Sequence, residues 1–216
     1  MKTAMILAAG RGERMRPLTD FTPKPLLKIK GKALIEFHLE KLARANFEKV
    51  VINHHWLGEQ IETALGNGEK YGIEIQYSRE TTLLETGGGI VQALPLLGKE
   101  PFLVINGDIW SNLDFNEIHL NIKKLAHLIL VENPPHNLKG DFGLDNGFVI
   151  NEPQFTFSGI GIYRHDLFRD YKIERFPLAP ILRKAILEQK VTGEYFKGRW
   201  FDIGTPDRLL EIEQCI

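Results

Sequence analysis

An α/β fold is predicted for this chain: a mostly parallel sheet flanked by helices on both faces. Three features of the sequence predict it. Short apolar runs rich in β-branched residues alternate with helical patterns. These runs are nearly unbroken rather than alternating apolar with polar, as expected for strands buried on both faces. Glycine-rich or acidic turns follow several of them, where an open α/β sheet places its ligands.

In chain order, Thr3–Ala9 is an apolar run that ends at Gly10-Arg11-Gly12 and reads as a buried strand feeding a glycine loop. Residues 33–45 carry Ile35, Leu39 and Leu42 at helical spacing. Lys49–Asn53 is a β-branched strand. Trp56–Leu65 is helical by the placement of Leu57, Ile61, Ala64 and Leu65, and Ile73–Tyr77 is a further strand. A helix is expected to begin after Gly87-Gly88-Gly89 and to stop near Pro95. Phe102–Ile105 is a strand closing on Asn106-Gly107-Asp108. Asn112–Leu125 is expected to be helical and Ala126–Val131 to be a strand. From about Asn133 prolines and glycines punctuate shorter segments. Phe148–Ile150, Thr156–Tyr163 and Arg199–Ile203 are expected strands, and Pro177–Gln189 an expected helix. Thr205 can cap a last helix with Pro206 at its first position.

Composition narrows the function. The 216 residues are 43% hydrophobic, enough for one sizeable core, and carry a net charge of −1. No global field favours nucleic acid or an anionic membrane, and neither is expected as a partner. No stretch reaches the roughly 18 apolar residues of a bilayer span. The apolar run after Met1-Lys2-Thr3 is too short for a secretory segment. A single cysteine, Cys215, excludes an intramolecular disulfide and a cysteine metal cluster. A cytoplasmic location is the expectation.

The densest chemistry lies between Leu7 and Leu26. Gly10 and Gly12 allow close approach of backbone N–H groups to phosphate oxygens. Arg11, Arg14, Arg16 and Lys24 place positive charge beside those donors. The dinucleotide fingerprint fails because Met15 stands where it needs glycine, and no P-loop occurs. The string L-A-A-G-x-G-x-R-M-x-P-L-T followed by P-K-P-L resembles the signature of the sugar-phosphate nucleotidyltransferase family. The likeness runs on to Trp200-Phe201-Asp202-Ile203-Gly204-Thr205-Pro206. Ile52-Asn53-His54, Trp56-Leu57-Gly58, Leu84-Glu85-Thr86-Gly87-Gly88-Gly89-Ile90, Asn106-Gly107-Asp108 and Phe157-Ser158-Gly159 are similar to uridylyltransferases of that family.

The resemblance implies a Rossmann-like, nucleotide-diphospho-sugar transferase fold. It implies an enzyme that joins UTP to a sugar 1-phosphate with Mg²⁺ and releases pyrophosphate. A guanylyl- or thymidylyltransferase, or a catalytically silent nucleotide sensor on the same fold, are the alternatives. Asp108 and Asp202 are each, taken alone, an ordinary turn or capping aspartate; the resemblance implies that both bind Mg²⁺. Arg16 and Lys24 join them as implied catalytic residues. Ala9, Gly10, Gly12, Glu13, Arg14, Lys24, Glu85, Gly87 and Gly88 are implied nucleotide contacts, although the three glycines also fit a flexible loop before a helix. Asn106, Asp141, Gly143 and Glu152 are implied sugar contacts. Where many relatives carry Glu-Lys-Pro this chain has Asn151-Glu152-Pro153, so the lysine that would meet the acceptor phosphate is absent there. The expected organisation is a single domain over 1–216, with residues 1–132 mainly nucleotide-binding and 133–216 mainly sugar-binding.

Overall fold

The structure is a computed structural model that describes residues 1–121 and 123–215. The elements, in order, are β1 (Thr3–Leu7), β2 (Lys28–Ile29), β3 (Lys32–Ala33), α1 (Leu34–Arg44), β4 (Lys49–His54), α2 (Gly58–Leu65) and β5 (Glu74–Arg79). Then come α3 (Glu85–Leu97), β6 (Phe102–Asn106), β7 (Ile109–Ser111), β8 (Ala126–Val131), β9 (Phe142–Asp145), β10 (Phe148–Tyr163), α4 (Ala179–Leu187), β11 (Val191–Tyr195), β12 (Trp200–Asp202) and α5 (Pro206–Cys215).

The main sheet runs β11-β8-β10-β6-β1-β4-β5, with β9 paired to β10. β1 lies parallel to both β4 and β6, β4 is parallel to β5, and β11 is parallel to β8. β10 alone runs against its neighbours β6, β8, β9 and β11. The sheet is therefore mostly parallel with one long antiparallel insertion. β1 shows why its strand is an unbroken apolar run. Ala4 and Ile6 face one core with Ile35, Leu39, Val50 and Ile52, whereas Met5 faces a second with Val51, Ile90 and Leu94. Each large aliphatic side chain so buried stabilises the fold by roughly 1.5–3 kcal/mol.

The helices start where local chemistry allows. The Glu36 carboxylate accepts a hydrogen bond from Ala33 N at 3.0 Å at the entrance to α1. Thr205 Oγ1 accepts from Arg208 N at 3.4 Å at the start of α5, with Pro206 as its first residue.

Three expectations need correction. The helix expected after Gly89 begins at Glu85, so all three glycines are helical. Their cost in helix propensity, up to about 1 kcal/mol each, is accepted because other chain segments pack where side chains would stand. The segment Asn112–Leu125, of which residue 122 lies outside the described residues, forms isolated turns rather than a helix. Asp114 Oδ1 accepts from Asn116 N at 2.9 Å, and Asn121 Oδ1 accepts from Lys123 N at 3.0 Å. Such side-chain turns compete with helical hydrogen bonding. Leu113, Phe115 and Ile118 of this segment reach into the core from these turns. Finally, the short strands β2, β3, β7, β9 and β11 were not foreseen, Gly143 and Gly193 interrupting the pattern of the last two, and the strands expected at Phe148–Ile150 and Thr156–Tyr163 are one continuous strand, β10.

Candidate active site

Two adjoining cavities open at the carboxyl ends of β1 and β6. The larger, about 660 Å³, is lined by the glycine turn from Gly10 to Arg14, by Lys24, by Glu85 and Thr86 at the start of α3, and by Asn106 to Asp108. The smaller, about 370 Å³, is lined by His136, Asn137, Asp141, Ser158, Trp200 and Asp202 among others. Arg14, Asn106 and Asp108 belong to both walls. They mark the place where occupants of the two cavities would meet.

The glycine turn is built by local geometry. Gly12 sits at φ 64°, a conformation that disfavours a side chain, and a Cβ there would come within 2.9 Å of Thr19 Cγ2. Thr19 Oγ1 donates to Gly12 O at 2.8 Å, which closes the turn on itself. Its base is tied to the sheet by a buried relay. Asn53 Oδ1 accepts from Ala8 N at 2.9 Å, and Asn53 Nδ2 donates to Glu80 Oε1 at 2.7 Å. Glu80 Oε2 accepts from Leu84 N at 2.9 Å, just ahead of α3. One buried carboxylate thereby couples the glycine turn to the start of α3. Burying it is tolerable only because its oxygens are satisfied.

Lys24 Nζ donates to Asp108 Oδ2 at 2.6 Å. The lysine side chain is only 10% exposed and the aspartate 36%, so the pair is half withdrawn from water and weakly screened. Asp202 lies next to Asp108 through the β7–β12 ribbon: Asp202 pairs with Ile109, and Ile203 N donates to Asp108 O at 2.8 Å. Asp202 Oδ2 accepts from Arg208 Nη1 at 2.8 Å and lies 3.0 Å from His136 Nε2. The residues separated by 94 positions in sequence are neighbours across two strands.

The other expected residues divide. Ala9, Gly10, Gly12, Glu13, Arg14 and Glu85 line the larger cavity, and Asn106 and Asp141 the smaller. Arg16 lines neither. It leaves the tight turn over Glu13–Met15 in an extended conformation, and its guanidinium pairs with Asp20 at 3.1 Å. Gly87 and Gly88 lie behind the wall. Their N–H groups donate to Phe176 O at 3.0 and 3.2 Å, and side chains there would strike Phe176 and Glu174 O. Gly143 packs against Glu152 O, and Glu152 is exposed on β10; neither borders a cavity.

Sequence reasoning missed Thr86, Arg175, His136, Asn137 and Arg208. Arg175 comes from a loop 90 positions beyond Glu85, to which its Nε donates at 2.9 Å. Thr86 Oγ1 accepts from Leu178 N at 2.9 Å, so the same loop straps the entrance of α3. No sequence pattern links these segments. For Arg208, the one available signal is its place one turn into a helix capped beside Asp202.

The donor set suits a hard divalent cation. Mg²⁺ takes one or two carboxylates and completes its shell from phosphates and water. Asp108 and Asp202 meet that description. Among the described residues no cluster of three or more His, Cys, Asp or Glu side chains is arranged to hold a metal. No described helix is long and apolar enough to cross a membrane.

Comparison with known proteins agrees with this geometry. A family model described as Nucleotidyl transferase matches residues 3–145. A protein of Neisseria meningitidis serogroup B named N-acetylmuramate alpha-1-phosphate uridylyltransferase is 52% identical over 97% of this chain and 96% of its own. A protein of the same name from Caulobacter vibrioides is 32% identical over 98% of this chain and 96% of its own. The crystal structure of HddC from Yersinia pseudotuberculosis complexed with GMP-PN superposes with a TM-score of 0.81 at 21% identity, covering 100% of this chain and 99% of that one; it shows the nucleotide-diphospho-sugar transferase fold. With the family model over the glycine turn and Asp108, and two relatives aligned nearly end to end through Asp202, this chain belongs to the nucleotidyl transferase family.

Proposed function

We propose that the chain transfers a uridylyl group from UTP to N-acetylmuramate α-1-phosphate, giving UDP-N-acetylmuramate and pyrophosphate, in peptidoglycan recycling. The observation that carries this reading is the junction of the two cavities at Arg14, Asn106 and Asp108. The identity of the substrates is supported by the uridylyltransferase that is 52% identical.

The acceptor's phosphate oxygen attacks the α-phosphorus, forming a new P–O bond as the bond to the β-phosphate oxygen breaks. The attacking group is already an anion, so no general base is needed. The difficulty is to bring one anion onto another, and the protein acts by positioning and by neutralising charge. UTP lies in the larger cavity with its phosphates against the glycine turn. Arg14, between the cavities, meets phosphates of both substrates. Lys24, oriented by Asp108, stabilises charge on the triphosphate and the departing pyrophosphate. Mg²⁺ held by Asp108 and Asp202 would supply further charge neutralisation between the two phosphates.

The acceptor fills the smaller cavity. Residues from 133 onward supply much of its wall, including His136, Asn137, Asp141, Ser158, Trp200 and Asp202. This division supports a nucleotide half over 1–132 and an acceptor half over 133–216 within one domain. With that lysine absent, Arg14, which lines the smaller cavity, and Arg208, which bonds Asp202 in its wall, are the cations that meet the acceptor phosphate.

The test is pyrophosphate release from four nucleoside triphosphates, each crossed with a panel of sugar 1-phosphates and with Mg²⁺ present or chelated. Fastest release with UTP and N-acetylmuramate 1-phosphate, abolished by chelation, is expected. Faster release with GTP or dTTP and a neutral hexose 1-phosphate would overturn the substrate assignment. Nucleotide binding without release from any pair would overturn the enzymatic reading.

A further inference from the structure

The ribbon that carries both carboxylates has an edge that no strand covers among the described residues. β7 faces β12 through the backbone of its even-numbered neighbours. Asp108 O accepts from Ile203 N at 2.8 Å, and Asn112 N donates to Arg199 O at 3.0 Å. Strand geometry then turns the carbonyls of Ile109 and Ser111 to the opposite edge. On a three-residue strand, such an edge leaves the ribbon little to fix its position.

Helix α1 closes that edge with side chains. Lys41 Nζ donates to Ser111 O at 2.8 Å and lies 4.7 Å over the Phe115 ring. The buried His38 ring faces the backbone of Ile109. Three residues apart, the two side chains share one face of the helix. Lys41 therefore grips the free edge of the strand at Ser111, and His38 packs against it at Ile109.

Neither group is the simplest choice for its place. His38 is 3% exposed, and its Nε2 is buried with no hydrogen-bond partner among the described residues. Burial draws the Lys41 ammonium down to about 8. An apolar pair would fill the same space without desolvating polar groups. What Lys41 provides, and an apolar side chain could not, is the bond to Ser111 O, with the polar His38 ring set against Ile109 beside it.

We propose that His38 and Lys41 are positioning residues for the transfer reaction: by holding the free carbonyl edge of β7 they fix the ribbon that sets Asp108 beside Asp202. The proposal rests on the reading of those two aspartates as the working carboxylates. Neither His38 nor Lys41 lines a cavity, so both act through β7.

The test uses H38L and K41M, which keep bulk and lose the donor, and H38N and K41R, which can restore it. Amide hydrogen exchange of metal-free protein is measured beside steady-state kinetics. In H38L and K41M, exchange at 109–111 and 200–203 should rise about ten-fold, as for one lost net hydrogen bond, while β4 and β5 keep their protection. Turnover should fall by a similar factor, with little change in KM for the triphosphate. H38N and K41R should recover most of both. Unchanged exchange in the ribbon, or a rise spread evenly over the whole sheet, would overturn the proposal. Lysine suits the first experiment, since Lys41 is only partly buried and K41M is unlike a core deletion. A loosened ribbon with undiminished turnover would instead overturn the role given to Asp108 and Asp202 and with it the positioning role. Loss of turnover in D108N, with H38L and K41M indistinguishable from the parent, would overturn the positioning role alone.

Discussion

At the residue scale, the central contact is the short bridge between Lys24 and Asp108. Neither side chain is free to swing while the bond stands, so each member of the pair holds the other in place. Replacing Asp108 by Asn removes the charge and keeps the shape. Turnover should fall at least about a hundred-fold, as when a preorganised electrostatic group is lost, while the circular dichroism spectrum is unchanged. Activity near that of the parent would rule Asp108 out of the reaction. Lys24→Ala should lower kcat/KM by about 2–4 kcal/mol of transition-state stabilisation; a loss of a few tenths would remove it from the mechanism. Arg14 and Arg16 offer an internal comparison. Both are exposed arginines on one loop, but Arg14 borders both cavities and Arg16 pairs with Asp20. Arg14→Ala should therefore slow pyrophosphate release by about ten-fold or more, the scale of one charge-assisted hydrogen bond. Arg16→Ala should change it by less than about two-fold, and the reverse order would return Arg16 to the catalytic set.

At the element scale, the beginning of α3 is held by three packing constraints. Gly87 makes room for Phe176, Gly88 for Glu174 O, and Gly89 for the buried Glu80–Asn53 bond. A Cβ on Gly89 would stand 2.7 Å from Glu80 Oε1 and 2.8 Å from Asn53 Nδ2. Alanine normally stabilises a helix relative to glycine. Here the gain is outweighed, because the obstructing atoms belong to a buried relay with no slack. Gly89→Ala should destabilise the protein by roughly 1–3 kcal/mol in urea unfolding; a stabilised variant would show that the relay can move. The sequence signalled this glycine triplet clearly, and its meaning was ambiguous for a physical reason. Glycines that admit a ligand and glycines that admit a neighbouring loop look alike until the loop at 174–178 is seen to occupy the space.

On the scale of the whole molecule, acid stability depends on a histidine remote from water. Burial, with the nearby Lys41 charge as a second cause, lowers the His38 pKa from 6.5 to about 4. As pH falls below 6.5, the unfolded chain takes up a proton that the folded chain refuses, so stability falls with it. Between pH 6.5 and pH 5 the loss should reach about 2 kcal/mol from this group, at about 1.4 kcal/mol per pH unit. Urea titrations at several pH values should show it, and the profile of His38→Leu should be flatter by that amount. Equal slopes for parent and variant would mean that His38 is protonated in the fold. The two cavities also belong to this scale, because their walls combine segments more than a hundred residues apart, such as Arg14 with His136.

What the sequence determined by itself was local. Apolar period, glycine turns and caps fixed β1, α1, β4, β6 and β8 to within a residue or two. The string around Gly10–Gly12 and Lys24 located one wall of the larger cavity. Tertiary structure decided which of the expected groups share a space. It set Asp202 beside Asp108, turned Arg16 away, placed Gly87 and Gly88 behind the wall, and brought in Arg175, His136 and Arg208. The reason is physical: spacing along a chain constrains neighbours within a turn or a strand, whereas distant segments meet only through the packing of the sheet and its covering loops.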